Sequence, residues 1–253
     1  MSVTTTSTSP ASEIAESVEL LPVRTTMPSR LLSRITARTI LRFLDSTTRF
    51  IQRITRKLDG IENLEKTNSP FIIASNHVSL LDTPMLQLAL PRRYSRRTAV
   101  VGGLDFFAPR RGKSWRTNAW RRVVVWFLRS SMNVVLIDRR GGDYSNLEQI
   151  EGLMRDGWNL IIFPEATRSR DGKLGRLRSG VAELAIRFDC PVVPCKMKGT
   201  NDVLPIGKKI PQHGAMHLRL GQPINTKPGE STRQFVQRLR QAIEGIDLED
   251  SDL

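Results

Sequence analysis

The sequence predicts an α/β fold: a layered sheet, mixed and mostly parallel, covered by helices. Three observations predict it. Beyond Gly60, short apolar runs of strand character alternate with segments of helical periodicity, the pattern of a sheet packed against helices. The length of 253 residues suits one principal domain with a sizeable core. No apolar run approaches the ~20 residues that cross a bilayer. The longest, Val123-Val124-Val125-Trp126-Phe127-Leu128, has Arg121, Arg122 and Arg129 at its ends.

Taken from the N-terminus, residues 1–28 form a polar Ser/Thr/Pro tract expected to be disordered. With Glu13, Glu16 and Glu19 and no apolar core, it reads neither as a secretory signal nor as a transit peptide. An intracellular protein without a transmembrane span is the expectation. From Ser29 to Leu58 the pattern is helical. Arg30, Arg34, Arg38 and Arg42 make one basic stripe, and Leu31, Ile35, Ile40, Phe43, Leu44, Phe50, Ile51, Ile54 and Leu58 supply apolar faces. Asp45-Ser46-Thr47-Thr48 interrupts the pattern as a turn would. Residues 29–66 are therefore expected to be a basic amphipathic segment at a membrane surface. The alternative is a helix that packs on the domain and shows its arginines to water.

Residues 67–248 carry the main domain. Strands are predicted at Phe71–Ser75, Thr98–Gly102, Val134–Asp138, Leu160–Phe163, Val192–Lys196 and Met216–Leu220. Helices are predicted at Pro84–Ala89, Arg116–Arg129, Ser145–Arg155, Gly180–Arg187 and Ser231–Ile243. Pro84 suits a first helical turn, with Asp82 or Thr83 as its cap.

The net charge is +14 and its distribution is uneven. Eight Lys or Arg face one acidic residue between Ser29 and Leu58, and thirteen face two between Pro91 and Arg140. That balance points to a polyanionic partner, either nucleic acid or an anionic membrane surface. No nucleic-acid-binding motif accompanies it, and only 6% of residues are aromatic. The two cysteines, Cys190 and Cys195, bracket an apolar stretch with no His/Cys cluster nearby, so they read as reduced core thiols rather than metal ligands. His213 and His217 read as exposed structural residues.

Chemistry concentrates where apolar strands end. Asn76-His77-Val78-Ser79-Leu80-Leu81-Asp82 follows the first strand and offers a histidine and a carboxylate five residues apart. An imidazole titrates near neutrality and accepts a proton from a hydroxyl more readily when a carboxylate orients it. No strained nucleophile elbow surrounds Ser75 or Ser79, so the hydroxyl belongs to a substrate. Alone, His77 is more often a capping or core residue and Asp82 a helix cap. A second block, Phe163-Pro164-Glu165-Ala166-Thr167-Arg168-Ser169, also leaves an apolar strand and precedes Arg170, Lys173, Arg176 and Arg178. Guanidinium forks of this kind match phosphate, although exposed loop cations are usually just solvated. In a third, Asn133-Val134-Val135-Leu136-Ile137-Asp138-Arg139-Arg140, a strand delivers arginines to its end.

In this order, and with Val192-Val193-Pro194 as a fourth block, residues 70–225 resemble the PlsC-type glycerolipid acyltransferases, the lysophosphatidic acid acyltransferase family. The resemblance implies transfer of a fatty acyl group from acyl-CoA or acyl-carrier protein to the sn-2 hydroxyl of a lysophosphatidic acid acceptor. It implies that His77 is the general base and Asp82 its orienting partner. Arg139 and Arg168 would hold the acceptor phosphate, Glu165 and Thr167 would shape the same site, and Arg178 would face the phosphate. Asn76 and Pro194 would serve acyl-donor binding or site shape. The acyl thioester is a co-substrate, and no metal or organic cofactor is implied. The expected setting is the cytoplasmic face of a membrane, with the protein peripheral and no specific nucleic acid bound. Another lysophospholipid or hydroxylated lipid as acceptor is the first alternative, and a non-catalytic anionic lipid- or nucleic-acid-binding protein the second. Two positions depart from the family pattern: Ala166 and Asn133 stand where the family carries glycine. A Cβ at 166 opposes φ > 0 and puts the acceptor pocket in question, whereas asparagine tolerates the left-handed region.

Overall fold

The computed structural model describes residues 31–68, 70–103, 123, 126–137, 145–169, 171–208 and 210–248. Helix α1 (Leu31–Gln52) leads into strand β1 (Ile54–Asp59) and a 3-10 turn (Ile61–Lys66). Strand β2 (Ile72–Ser75) is followed by α2 (Asp82–Ala89), the short α3 (Arg92–Ser95) and β3 (Thr98–Gly103). Helical residues 126–132 precede β4 (Val134–Ile137), then α4 (Ser145–Arg155) and β5 (Asn159–Ile162). The chain closes with α5 (Gly180–Phe188), β6 (Val192–Lys198), α6 (Thr200–Val203), β7 (Gly214–Leu220) and α7 (Thr232–Glu244).

The seven strands form one sheet in the order β1-β7-β6-β2-β5-β3-β4. Every pairing is parallel except β6 with β7. The sheet is therefore mixed and mostly parallel, as its sequence pattern predicts. Apolar side chains fill both faces, which is why the central strands read as continuous Ile/Val runs. On one face Phe71, Ile73, Ile161, Val193 and Leu218 pack against Leu64, Met85 and Leu86. On the other, Ile72, Leu160 and Val192 pack against Met154, Val181, Ala185, Phe235 and Leu239 from α4, α5 and α7. Helix α7 begins with a reciprocal cap: Gln234 N–H donates to Ser231 Oγ at 3.3 Å, and Ser231 N–H donates to Gln234 Oε1 at 2.9 Å.

Two expectations for the N-terminal segment need correction. Helix α1 runs unbroken through Asp45–Thr48, and Asp45 makes a two-pronged ion pair with Arg56, both contacts at 3.0 Å. The helix then stops, and Ile54–Asp59 is not helical but the edge strand of the sheet, paired with β7 from Ile54↔Gly214 to Asp59↔Arg219. Its Ile54–Leu58 spacing fits a helix, yet the ladder offered by β7 decides its conformation. His217 is likewise not exposed. It is fully buried, with Nε2 at 2.6 Å from Asp59 Oδ2, and this pair ties β7 to β1. His213 is exposed, as expected.

The remaining predicted strands and helices agree within one to three residues wherever they are described. Residues 1–28, most of the predicted Arg116–Arg129 helix, and Asp138, Arg139 and Arg140 lie outside the described residues. Among the described residues no helix is long and apolar enough to cross a membrane, and no His/Cys/Asp/Glu group is arranged to hold a metal ion.

Candidate active site

Strands β2 and β5 are parallel neighbours, with Ile72↔Leu160 and Ala74↔Ile162 in register. Their following loops therefore emerge side by side at the C-terminal edge of the sheet, the usual place for chemistry in such a layer. This juxtaposition brings the His77 and Glu165 blocks together although 88 residues separate them.

His77 Nδ1 lies 2.8 Å from Asp82 Oδ2. A carboxylate in its ionised form only accepts, so the contact assigns the proton to Nδ1, and in the neutral ring this leaves the lone pair on Nε2. The same Oδ2 accepts backbone N–H groups from Val78 at 2.7 Å and Ser79 at 2.8 Å. Asp82 is fully buried at the first turn of α2. Three donors and the helix N-terminus offset the cost of burying its charge. Its other oxygen, Oδ1, has no hydrogen-bond partner among the described residues. The His77 ring stacks on Phe163, with centroids 4.2 Å apart and planes at 24°. Carboxylate and aromatic face together fix its orientation, and the ring remains partly open to solvent at 18% exposure.

Glu165 joins the two loops. Oε1 accepts His77 N–H at 2.8 Å and Oε2 accepts Gly175 N–H at 2.7 Å, while Ser169 N–H donates to the His77 carbonyl at 2.8 Å. A Cβ on Gly175 would come within 2.9 Å of Glu165 Oε2, so this position needs glycine for close approach. The sequence suggests Glu165 as a residue lining an acceptor. The structure shows both its oxygens engaged with backbone amides, an arrangement that holds the histidine loop. The signal for this bridge, a buried glutamate facing a glycine ten residues on, is not visible without the fold.

Asn76 is similarly occupied. Its amide donates to Met197 O at 2.9 Å and accepts Met197 N–H at 2.7 Å, binding the exit of β2 to β6. Pro194 is buried in β6 in register with Ala74, and its carbonyl accepts Gly221 N–H at 2.8 Å. Thr167 and Arg178 are exposed and Arg168 is half-buried. Arg178 anchors the loop through its own N–H to Pro164 O at 2.8 Å. Thr167 and Arg178 line an open cleft of about 1380 Å³ between the Glu165 loop and α7, which also receives Lys173, Arg176 and Arg233. Glu165 lines it too, but His77 and Asp82 do not, so this cleft lies beside the His–Asp pair rather than over it.

Ala166 holds φ 60°, the left-handed conformation that glycine adopts without strain, and its N–H donates to Phe163 O at 3.0 Å. The strain lies in the backbone, where the Cβ is crowded against a carbonyl oxygen in this conformation. Ala166→Gly is expected to raise the unfolding free energy by about 0.5–1 kcal/mol, measured by urea denaturation. Asn133 also lies in this region at φ 51°, where its amide donates to Thr98 O at 3.0 Å.

The sheet and the two loops at its C-terminal edge gather His77, Asp82 and Glu165 into one site of an α/β domain. The chain belongs to the acyltransferase family, whose pattern its residues 55–198 match. It is 30% identical over 171 residues to the chloroplastic 1-acyl-sn-glycerol-3-phosphate acyltransferase BAT2 of Brassica napus, covering 66% of this chain and 44% of that one. It is 25% identical over 201 residues to a lyso-ornithine lipid O-acyltransferase of Pseudomonas aeruginosa, covering 72% of this chain and 70% of that one. The chain spans about half the length of the plant relatives it matches. The crystal structure of the 1-acyl-sn-glycerophosphate acyltransferase PlsC from Thermotoga maritima has the same fold. Its TM-score is 0.62 at 21% identity, over 92% of this chain and 91% of that chain.

Proposed function

We propose that the protein transfers a fatty acyl group from an acyl thioester to the sn-2 hydroxyl of lysophosphatidic acid, with His77 as general base. The observation that carries this reading is the buried Asp82 at 2.8 Å from His77 Nδ1, which leaves Nε2 to meet a hydroxyl. As the acceptor oxygen attacks the thioester carbonyl, Nε2 takes its proton and the buried carboxylate stabilises the imidazolium. The tetrahedral oxyanion then collapses and expels the thiolate, which takes the proton from the imidazolium and leaves as a thiol. Arg168, with Arg139 from the third block, supplies cations for the acceptor phosphate. The relatives named for 1-acyl-sn-glycerol-3-phosphate support this acceptor.

On this reading the protein works at an anionic membrane surface. Helix α1 supports it. Ala37 is buried and Leu41 packs on the core, while Ile35, Ile40, Phe43 and Leu44 point outward at 44–68% exposure. A helix merely packed on the domain would turn its arginines out and its apolar residues in. Residues 29–66 are accordingly proposed as the membrane-facing segment, with β1 inside it belonging to the sheet, and residues 67–248 as the rest of the acyltransferase domain.

A second acceptor class has a specific observation behind it: the similarity to a lyso-ornithine lipid O-acyltransferase. One experiment separates the two. Purified protein is given one acyl-CoA and a panel of lysolipid acceptors, with products read by mass spectrometry. Lysophosphatidic acid is expected to be acylated fastest. Faster acylation of lyso-ornithine lipid would replace the first reading, and no acylated product from any acceptor would end both.

A further inference from the structure

We infer that the loop between Val203 and Gln212 is a second lipid-contacting element, which sets the mouth of the His77 site against an anionic membrane. Its ends are pinned: Gln212 N–H donates to Val203 O at 2.7 Å, and Gln212 Nε2 donates to Asp202 O at 3.3 Å. Val203 and Leu204 are buried at its base. Its tip turns through Gly207 at φ 93°, with Lys208 N–H on Pro205 O at 3.1 Å. This closed loop displays Ile206 at 41% and Ile210 at 72% exposure.

Single exposed aliphatics are ordinary on protein surfaces. Here they are not scattered. Ser79 Oγ donates to Leu204 O at 2.9 Å, so the loop is fastened to the histidine loop itself. The residue after Ser79, Leu80, is 43% exposed. Three outward aliphatics thus come from two joined loops, with Leu80 three residues from His77. The charge fits one occupant. Between Val203 and Gln212 the sequence has Lys208 and Lys209 and no carboxylate. The exposed Lys208 beside outward aliphatics matches an anionic bilayer interface, where apolar side chains enter the acyl boundary and an ammonium group meets head-group phosphates. An apolar protein partner would leave this ammonium group without counter-charge.

The inference rests on the lipid-acceptor reading and extends it: the acceptor would reach His77 directly from the bilayer. The test uses the full chain and vesicles of phosphatidylcholine with phosphatidylglycerol, without substrates. The double variant Ile206→Ser/Ile210→Ser is expected to partition onto them about tenfold more weakly, with an unchanged unfolding midpoint because both side chains are exposed. Helix α1 is present in both proteins and cancels in the ratio. A second measurement places an environment-sensitive dye on Ile210→Cys. Cys190 and Cys195 are buried, and burial pushes both thiols up to about 12, so the dye goes to the new site. A blue shift on anionic vesicles is expected. Unchanged partitioning of the double variant, or an unshifted dye, overturns the inference. Neither readout needs turnover, so a protein that acylates no lysolipid would defeat the proposed function and still leave this question decided.

Discussion

Replacing His77 with alanine is expected to lower kcat for acyl transfer by about 10²–10⁴-fold and leave the chain folded. The rate effect follows from the geometry. The ring is held on two sides, by Asp82 through Nδ1 and by Phe163 through stacking, and its remaining nitrogen makes no hydrogen bond among the described residues. The tolerance follows from the neighbours. Asp82 keeps the Val78 and Ser79 donors when the ring is removed, and the His77 backbone keeps its bonds to Glu165 and Ser169. Steady-state kinetics with one acyl-CoA and lysophosphatidic acid, together with a thermal melt, make the check. Full activity in a folded His77→Ala protein would sink the base assignment.

Asp82 is expected to give a different result because it serves rate and stability at once. Asp82→Asn can place its amide oxygen where Oδ2 stands and still accept from Nδ1–H, Val78 and Ser79, but it lacks the charge that stabilises the imidazolium, so kcat is expected to fall by up to about 10⁴-fold with a modest change in stability. Asp82→Ala removes the acceptor altogether. The buried N–H groups of Val78 and Ser79 are then left without partners, each costing about 1–3 kcal/mol. Denaturant midpoints and kcat measured on both variants separate the two roles. If asparagine restored full turnover, the carboxylate would be a cap and not the base's partner.

The parts of this molecule that are legible in its sequence are those decided locally. The Ile/Val runs of β2, β5 and β6 are buried on both faces, and such runs announce strands without help from the rest of the chain. The ends of those runs mark where His77 and Glu165 sit, because parallel neighbours deliver their loops to one edge. What escaped was decided by distant partners. Ile54–Asp59 has no strand signal of its own and is fixed by β7, some 160 residues away. His217 carries no mark of burial in its neighbours along the chain; Asp59 draws it in from the opposite strand. The span Asp45–Thr48 has the composition of a turn, yet α1 passes through it with Asp45 held by Arg56. The role of Glu165 was half legible. Its block marked it as part of the site, but only the fold shows its two oxygens taken by backbone amides.

That bridge bears on how the protein can be re-engineered. Because one carboxylate fastens the histidine loop to Gly175, the stretches 76–82 and 163–178 form a single interchangeable cartridge. A chimera that imports a foreign acceptor loop alone would break the Oε1 contact and let the imidazole drift from its aim, whereas one that carries both stretches would transplant selectivity with the alignment of the base preserved. On the proposed function, acceptor preference and base alignment are thus inherited together on this scaffold.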